Sequence, residues 1–380
     1  MSTPARNHSP TPAPRAPSHW LPDSLWIERS ELDSALARRL RSRLADTSVR
    51  VVDDCSEAEP RENFAAGKRR LLIKRHRGSF MQYCPAGTPG LVCCNYLVVS
   101  FASNCPFDCS YCFLQDYLAN NGAVKVSSNV GDGLAEIDAV LRAHPGRTFR
   151  IGTGELADSL ALDHLTDLSC ELVPFFAERA NGLLELKTKS NCIDNLLDVD
   201  AKDRTVVSWS LNASAVMATE EPGAASLEER ICAAQQVQAA GYRVGFHFDP
   251  LVAHDGWEEG YRQVIGQVFP RLDTRRIAWV SLGSLRLAPA LRAAIKARPQ
   301  PSLLLTGELV PGRDGKDRAW RGLRVKMYRR MLDWLRQIDH RMPVYMCMEP
   351  PGVWGKVFGE SPSDRELAER LVALPTLTAL

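Results

Sequence analysis

The run Cys105-Pro-Phe-Asp-Cys109-Ser-Tyr-Cys112 places three thiols within eight residues at CxxxCxxC spacing. Thiolates are the protein ligands of iron–sulfur clusters, and three in one short loop can hold three corners of a cubane. The fourth iron is then open to an outside ligand. Zinc competes for the same residue type, but a structural zinc takes four closed ligands, usually from paired CxxC units. A 4Fe-4S cluster on Cys105, Cys109 and Cys112 is the expectation. The chain has eleven cysteines and no apolar signal segment at its N-terminus. A disulfide framework is not expected in a cytoplasmic chain of this size, so metal or redox chemistry leads. Cys84, Cys93 and Cys94 form a second group, open to an auxiliary cluster or a redox thiol, although three thiolates leave a fourth ligand unexplained. Cys55, Cys170, Cys192 and Cys232 read as ordinary core or surface thiols.

A three-thiol loop needs a rigid frame, and the chain around it alternates apolar β-like runs with amphipathic stretches. The strand candidates are 97–101, 149–151, 183–186, 206–211, 244–248 and 277–282, with helix-like segments such as 227–240 and 258–269 between them. Such alternation predicts parallel strands joined by right-handed crossovers, hence a barrel or a doubly wound sheet. Two more strand-like runs follow at 303–305 and 344–347. The thiol loop opens four residues after the first of these strands, and Cys347 ends the last, where it could face the barrel mouth. Residues 1–19 hold five prolines and no acidic residue, which predicts a disordered tail. Leu32, Leu36, Leu40 and Leu44 repeat every four residues on one helix face. Leu71–Ile73 reads as a strand flanked by Lys68, Arg69, Arg70, Lys74, Arg75 and Arg77, which fits either an anionic partner or an edge strand guarded by charge. The expected organisation is a tail (1–19), a small α/β extension (20–96), the barrel (97–348) and a C-terminal extension (349–380). The 380 residues carry a net charge of +2 and 45% hydrophobic residues. That balance excludes a uniformly basic nucleic-acid coat, and no apolar run is long enough for a membrane span.

A CxxxCxxC loop after the first strand of a β/α barrel resembles the radical S-adenosylmethionine (SAM) superfamily. The run Cys109-Ser-Tyr-Cys112-Phe-Leu-Gln115 narrows the resemblance to the spore photoproduct lyase family. So do Leu162-Asp163-His164-Leu165-Thr166, Thr188-Lys189, Ser210-Leu211-Asn212 and His254-Asp255-Gly256-Trp257-Glu258-Glu259-Gly260-Tyr261. The matches keep their order across about 110–262. The resemblance implies an α/β fold built on a partial (β/α)6 barrel. It also implies a 4Fe-4S cluster and SAM as cofactors, with reductive cleavage to a 5′-deoxyadenosyl radical that abstracts hydrogen from a substrate. It further implies an electron donor such as flavodoxin or ferredoxin, and a DNA lesion as substrate. Lys189 and Ser210 match residues that hold the SAM carboxylate, with Asn212 beside them. Gly152-Thr153-Gly154-Glu155 resembles the Gly-Gly-Glu element: Gly152 and Gly154 let the backbone approach the ligand, and Glu155 holds the SAM ammonium. Asp158 is expected to cap the next helix.

Two positions depart from the family. The second-strand loop of spore photoproduct lyases carries the cysteine that returns hydrogen to the product radical, and that position falls at or beside Glu155. The tyrosine that follows the third cluster cysteine is Phe113 here, although Tyr111 is retained. Cys347 is the candidate replacement donor and Tyr111 the candidate relay. For the substrate, residues 313–330 are rich in Lys and Arg with Trp320 and Tyr328 interleaved. This pattern suits phosphate contacts and stacking on an extruded base, or else a solvated amphipathic helix with Trp334 and Leu335 inward. Beside the DNA-lesion enzyme stand three other readings: a radical SAM enzyme for a small molecule or peptide, a non-catalytic iron–sulfur module, and a zinc-bound nucleic-acid module.

Overall fold

The computed structural model describes residues 19–54, 64–84, 87–118, 122–200, 202–312 and 314–374. The tail expected at 1–19 lies outside these residues except for His19, as do Cys55 and Arg313.

The described chain forms sixteen strands in three sheets. In chain order they are β1 (Ser24–Glu28), β2 (Ser48–Val52), β3 (Arg70–Lys74), β4 (Met81–Tyr83), β5 (Leu97–Val99), β6 (Ala102–Ser103), β7 (Val124–Ser127) and β8 (Phe149–Gly152). They continue with β9 (Gly182–Thr188), β10 (Thr205–Ser210), β11 (Arg243–Leu251), β12 (Ile277–Ser284), β13 (Arg286–Leu287), β14 (Leu309–Pro311), β15 (Asp317–Ala319) and β16 (Val344–Met346).

The largest sheet runs β16-β12-β11-β10-β9-β8-β5-β4. Every pair in it is parallel except β4 with β5. It is the curled partial barrel that the alternating pattern predicts. The six expected strands are β5 and β8–β12, and β16 adds a seventh parallel strand. The two edges meet where Val92 and Glu349 form an isolated antiparallel bridge. The first of the two late strand-like runs, Leu303–Leu305, is instead a 3-10 turn, with the Ser302 side chain accepting from the Leu304 N–H. Three leucines in a row satisfy β propensity, but here only Leu304 is buried, so no sheet face claims them.

The barrel interior is polar at its centre. Buried Glu185 accepts from the Arg150 Nε at 3.0 Å, the Ser208 hydroxyl at 2.8 Å and the Trp279 indole at 3.2 Å, and it lies 2.7 Å from His247 Nε2. Burial alone would raise its carboxyl pKa, but Arg150 and His247 outweigh it and hold the group well below the usual carboxylate range. Around this centre the apolar side chains of β8–β12 and the covering helices form one continuous core.

The second sheet, β2-β1-β3-β7-β6, packs on the helix Ala35–Arg43. Ser34 caps this helix by accepting from the Ala37 N–H at 3.1 Å, so Leu32 precedes it while Leu36, Leu40 and Leu44 are buried. Each such leucine contributes roughly 1.5–3 kcal/mol. This layer draws β6 and β7 from beyond residue 96. β3 is central rather than an edge, with Leu71, Leu72 and Ile73 fully buried, because β1 and β7 flank it. Its basic neighbours are largely consumed at home: Arg69 pairs with Asp23 and Arg75 with Asp132, while Lys68 donates to the Phe107 carbonyl.

Leu162 and Leu165 of the Leu-Asp-His-Leu-Thr motif join this second core, and Asp163 accepts from the Ser169 N–H at 2.8 Å. The motif therefore docks the small sheet onto the barrel. No helix among the described residues is long and apolar enough to cross a membrane.

Candidate active site

The C-terminal ends of β8–β12 and the thiol loop enclose a cavity of about 480 Å³, within the size range of small-molecule sites. Cys105, Cys109, Cys112, Tyr111, Gly154, Glu155, Lys189 and Ser210 all line it. Gly152, Asn212 and Cys347 do not.

The thiol loop is held from several sides. The Gln115 amide donates to the carbonyls of Cys109 at 3.0 Å and Ser110 at 2.9 Å, and its oxygen accepts from Arg298 at 3.0 Å. Arg298 also pairs with Asp108 at 3.0 Å. The Ser110 N–H donates to the Glu220 carbonyl at 2.9 Å and the Asp108 N–H to the Pro222 carbonyl at 2.9 Å. Positive charge stands beside the sulfurs. Burial pushes the Cys109 thiol up to about 12, with Lys189 working against it.

Lys189 follows β9 directly. Its N–H donates to Asp158 Oδ2 at 2.7 Å, and the Thr188 hydroxyl donates to Asp158 Oδ1 at 2.6 Å. Asp158 also accepts from the N–H groups of Leu160 and Ala161 at 3.0 and 2.9 Å, so it caps a turn and fixes the lysine in one stroke. The Lys189 ammonium lies 5.5 Å from the centre of the Tyr111 ring. Desolvation alone would lower its pKa, but Cys109 and Glu221 outweigh this and keep it raised. Glu155 is half-buried in the loop after β8, the strand beside β9, where desolvation raises its carboxyl, with Lys187 opposing.

The two glycines are tightly packed on their Cβ sides. A Cβ on Gly152 would sit 1.7 Å from the Tyr96 hydroxyl, and one on Gly154 2.7 Å from the Lys187 Cβ. Both directions lead into the protein, so packing requires glycine at both positions, and Gly154 also lines the cavity. Asn212 is likewise internal: its amide donates to the Pro250 carbonyl at 2.8 Å, and its oxygen accepts from the Tyr261 hydroxyl at 2.5 Å. The Tyr261 end of the long His254–Tyr261 motif thus clamps the Pro250 wall from behind.

Tyr111 donates its O–H to Glu221, which pairs with buried Arg230 at 2.6 Å. Arg230 in turn donates to the Ser210 carbonyl at 2.9 Å. Glu220, Glu221, Arg230 and Lys68 were not legible as site residues, since single charged residues scattered over the sequence carry no spacing signal. Arg286 was missed for the same reason. It lines the cavity beside Asp249, 3.6 Å away, and its buried Nη1 has no hydrogen-bond partner among the described residues. A buried unpaired guanidinium N–H is costly unless a ligand meets it.

Cys347 stands next to Arg286 and Asp249 rather than in the wall itself, and burial pushes its thiol well up. Cys94 and Cys84 lie within electrostatic range of it, and Cys93 within range of both Cys84 and Cys347. Among the described residues of the wall, the three loop cysteines are the only thiols. At the mouth, Phe113 and Tyr117 are 37% and 58% exposed, with ring centres 6.1 Å apart. The basic segment is mostly structural. Arg324 is buried against Glu349 at 2.8 Å, Tyr328 is fully buried, Arg318 pairs with Asp314, and Lys326 pairs with Glu258. Among the described cations of the segment, Lys316 alone lines the cavity, while Trp320 is 52% exposed.

A family model described as spore photoproduct lyase matches residues 20–282. The chain belongs to the spore photoproduct lyase family. The Bacillus subtilis spore photoproduct lyase is 28% identical over 296 residues, covering 76% of this chain and 86% of the relative. The Clostridium acetobutylicum enzyme is 21% identical over 290 residues, covering 74% and 84%. A solved spore photoproduct lyase variant matches the fold with a TM-score of 0.77 at 22% identity, covering 87% of this chain and 100% of that one. A double variant solved with bound AdoMet and dinucleoside spore photoproduct gives 0.76 at 21% identity, with the same coverage. The family's cofactors fit the residues present. Three thiols share one cavity of ligand size with a charged lysine and the Arg286 side chain.

Proposed function

We propose that this chain is a radical SAM enzyme that acts on a pyrimidine lesion in DNA. The observation that carries the reading is the convergence of Cys105, Cys109, Cys112, Lys189 and Arg286 on one cavity. When bound, a reduced 4Fe-4S cluster and SAM supply a 5′-deoxyadenosyl radical that abstracts a hydrogen atom from the substrate. The three loop thiolates hold three irons. Lys189 meets the SAM carboxylate through a charge-assisted hydrogen bond, Ser210 supports it, and Glu155 accepts from the ammonium. The enclosed wall keeps water from the reacting atoms. Arg286 and Lys316 meet the anionic backbone of the lesion strand, and exposed Phe113 and Tyr117 offer rings on which an extruded base stacks. A flavodoxin or ferredoxin serves as electron donor.

Hydrogen return follows a route of its own, because the position that carries a cysteine in the family falls at or beside Glu155, where this chain has none. Cys347 lies outside the cavity wall, so its S–H hydrogen atom passes to the product carbon radical, forming the C–H bond and leaving the radical on sulfur, only when the wall at Arg286 and Asp249 shifts to admit the thiol. Tyr111, whose O–H points to Glu221, serves as the relay. In D₂O the repaired product should carry deuterium from the exchanged thiol, and Cys347→Ala should abolish that label while SAM cleavage persists. An unchanged label in the variant overturns the donor assignment.

The test of the reading itself is 5′-deoxyadenosine formation by anaerobically reconstituted protein with dithionite and SAM, with and without UV-irradiated DNA. DNA should raise the yield, and Cys109→Ala should abolish it. A yield indifferent to DNA would transfer the chemistry to a small-molecule or peptide substrate.

A further inference from the structure

Cys192 reads as an ordinary core thiol in the sequence, yet it does not sit among apolar neighbours alone. Its sulfur lies 3.6 Å from His164 Nδ1. His164 Nε2 lies 3.1 Å from the Trp20 carbonyl, which can only accept, so the ring proton is on Nε2 and the Nδ1 lone pair faces the sulfur. A histidine oriented by a backbone carbonyl through its far nitrogen is the arrangement in which imidazole ligates a metal. His19 stacks on the same ring, with centroids 4.7 Å apart. One ligand atom each from His19, His164 and Cys192 all lie within 4.8 Å of one another. The exposed carboxylate of Asp194 stands 4.0 Å from His19 Nε2. The Cys192 N–H donates to the Ser190 hydroxyl at 3.0 Å, which fixes the turn that carries the thiol.

From this geometry we propose that His19, His164 and Cys192 form a zinc site, with Asp194 closing the fourth position. Two imidazoles, one thiolate and one carboxylate are a borderline-soft set that suits tetrahedral Zn²⁺, and one thiolate cannot support an iron–sulfur cubane. The three ligands come from distant parts of the chain: the run entering β1, the helix Asp163–Thr166, and the turn after β9. The second follows the wall loop of Glu155 and Asp158, and the third lies three residues beyond Lys189. A bound zinc ion fastens the N-terminal segment across both loops and holds the SAM-side wall in register. The proposal is independent of what the cavity binds.

The test uses the full chain with Cys105, Cys109 and Cys112 all replaced by alanine, so that the cluster loop cannot take zinc. After equilibration with zinc and desalting, it should retain about one zinc per chain. Adding Cys192→Ala, or separately His19→Ala, should lower retained zinc at least about tenfold. His19 belongs to neither apolar core, so His19→Ala answers the question if Cys192→Ala misfolds. With cobalt in place of zinc, the tetrahedral d–d bands should carry a sulfur-to-cobalt transition that Cys192→Ala removes. Zinc held by Cys84, Cys93, Cys94 and Cys347 would be indifferent to both substitutions. No retained zinc, or retention unchanged by both variants, overturns the proposal and leaves a thiol–imidazole hydrogen bond beneath a stacked ring.

Discussion

At Lys189 burial and charge pull in opposite directions, and the outcome sets what the cavity can bind. Desolvation works against the ammonium, but Cys109 and Glu221 keep it charged. A charge-assisted hydrogen bond of this kind contributes about 1.5–3 kcal/mol. Lys189→Met should therefore raise the SAM KM roughly 10- to 100-fold, with iron content unchanged by metal analysis. Glu155 behaves oppositely, since its carboxyl titrates above the usual range through desolvation. A raised pKa means that the carboxylate is lost at a higher pH than for an exposed glutamate. SAM binding should weaken as pH falls through that raised value, and Glu155→Gln should weaken binding at neutral pH and flatten this acid limb. Equilibrium binding across the acid range, with folding monitored in parallel, checks both. An acid limb that persists in Glu155→Gln would assign it to another group.

The strands that carry these residues are held together by missing side chains as much as by present ones. β8 lies so close to Tyr96 and to the Glu185 carbonyl that a methyl group on Gly152 would overlap both. Gly152→Ala should destabilise the fold by about 1–3 kcal/mol through overpacking. Gly131, in the helix Val130–Ala143, meets nothing within 4 Å. Alanine there should stabilise by roughly 0.5–1 kcal/mol, because it lowers the backbone entropy of the unfolded chain. Chemical denaturation of both variants tests the contrast, and similar losses in the two would show that backbone freedom rather than packing governs the β8 site.

Across the molecule, charge is sorted between structure and cavity in a way composition hides. The Arg324–Glu349 pair is buried beside the bridge that joins the two sheet edges. Removing one member leaves the other uncompensated, so Arg324→Ala should cost about 3–5 kcal/mol of stability. DNA affinity of the folded fraction should be unchanged. Arg286→Ala and Lys316→Ala should do the reverse, weakening DNA binding with little loss of stability at Lys316, and each should lower the slope of log affinity against log salt by about one. Binding titrations at several salt concentrations separate the two classes. A salt slope unchanged in both cavity variants would move the DNA path elsewhere on the surface.

Local spacing determined the thiol loop, the strand–helix alternation, the position of Lys189 after β9 and that of Ser210 at the end of β10. Short-range chemistry and periodicity are written in neighbouring residues, so a single chain displays them. Only the tertiary structure decided which charges belong to the cavity. Arg286 and Glu221 reach the site from separate elements, whereas Arg324 and Tyr328, for all their basic and aromatic surroundings, turn inward. It also made Gly152 and Asn212 packing and clamping residues, placed Cys347 beside the cavity instead of in its wall, and set Cys192 against two histidines. The physical reason is the same in each case. Burial and partner are properties of surfaces that meet through the fold, and residues far apart along the chain acquire them only when the sheet curls and its edges close.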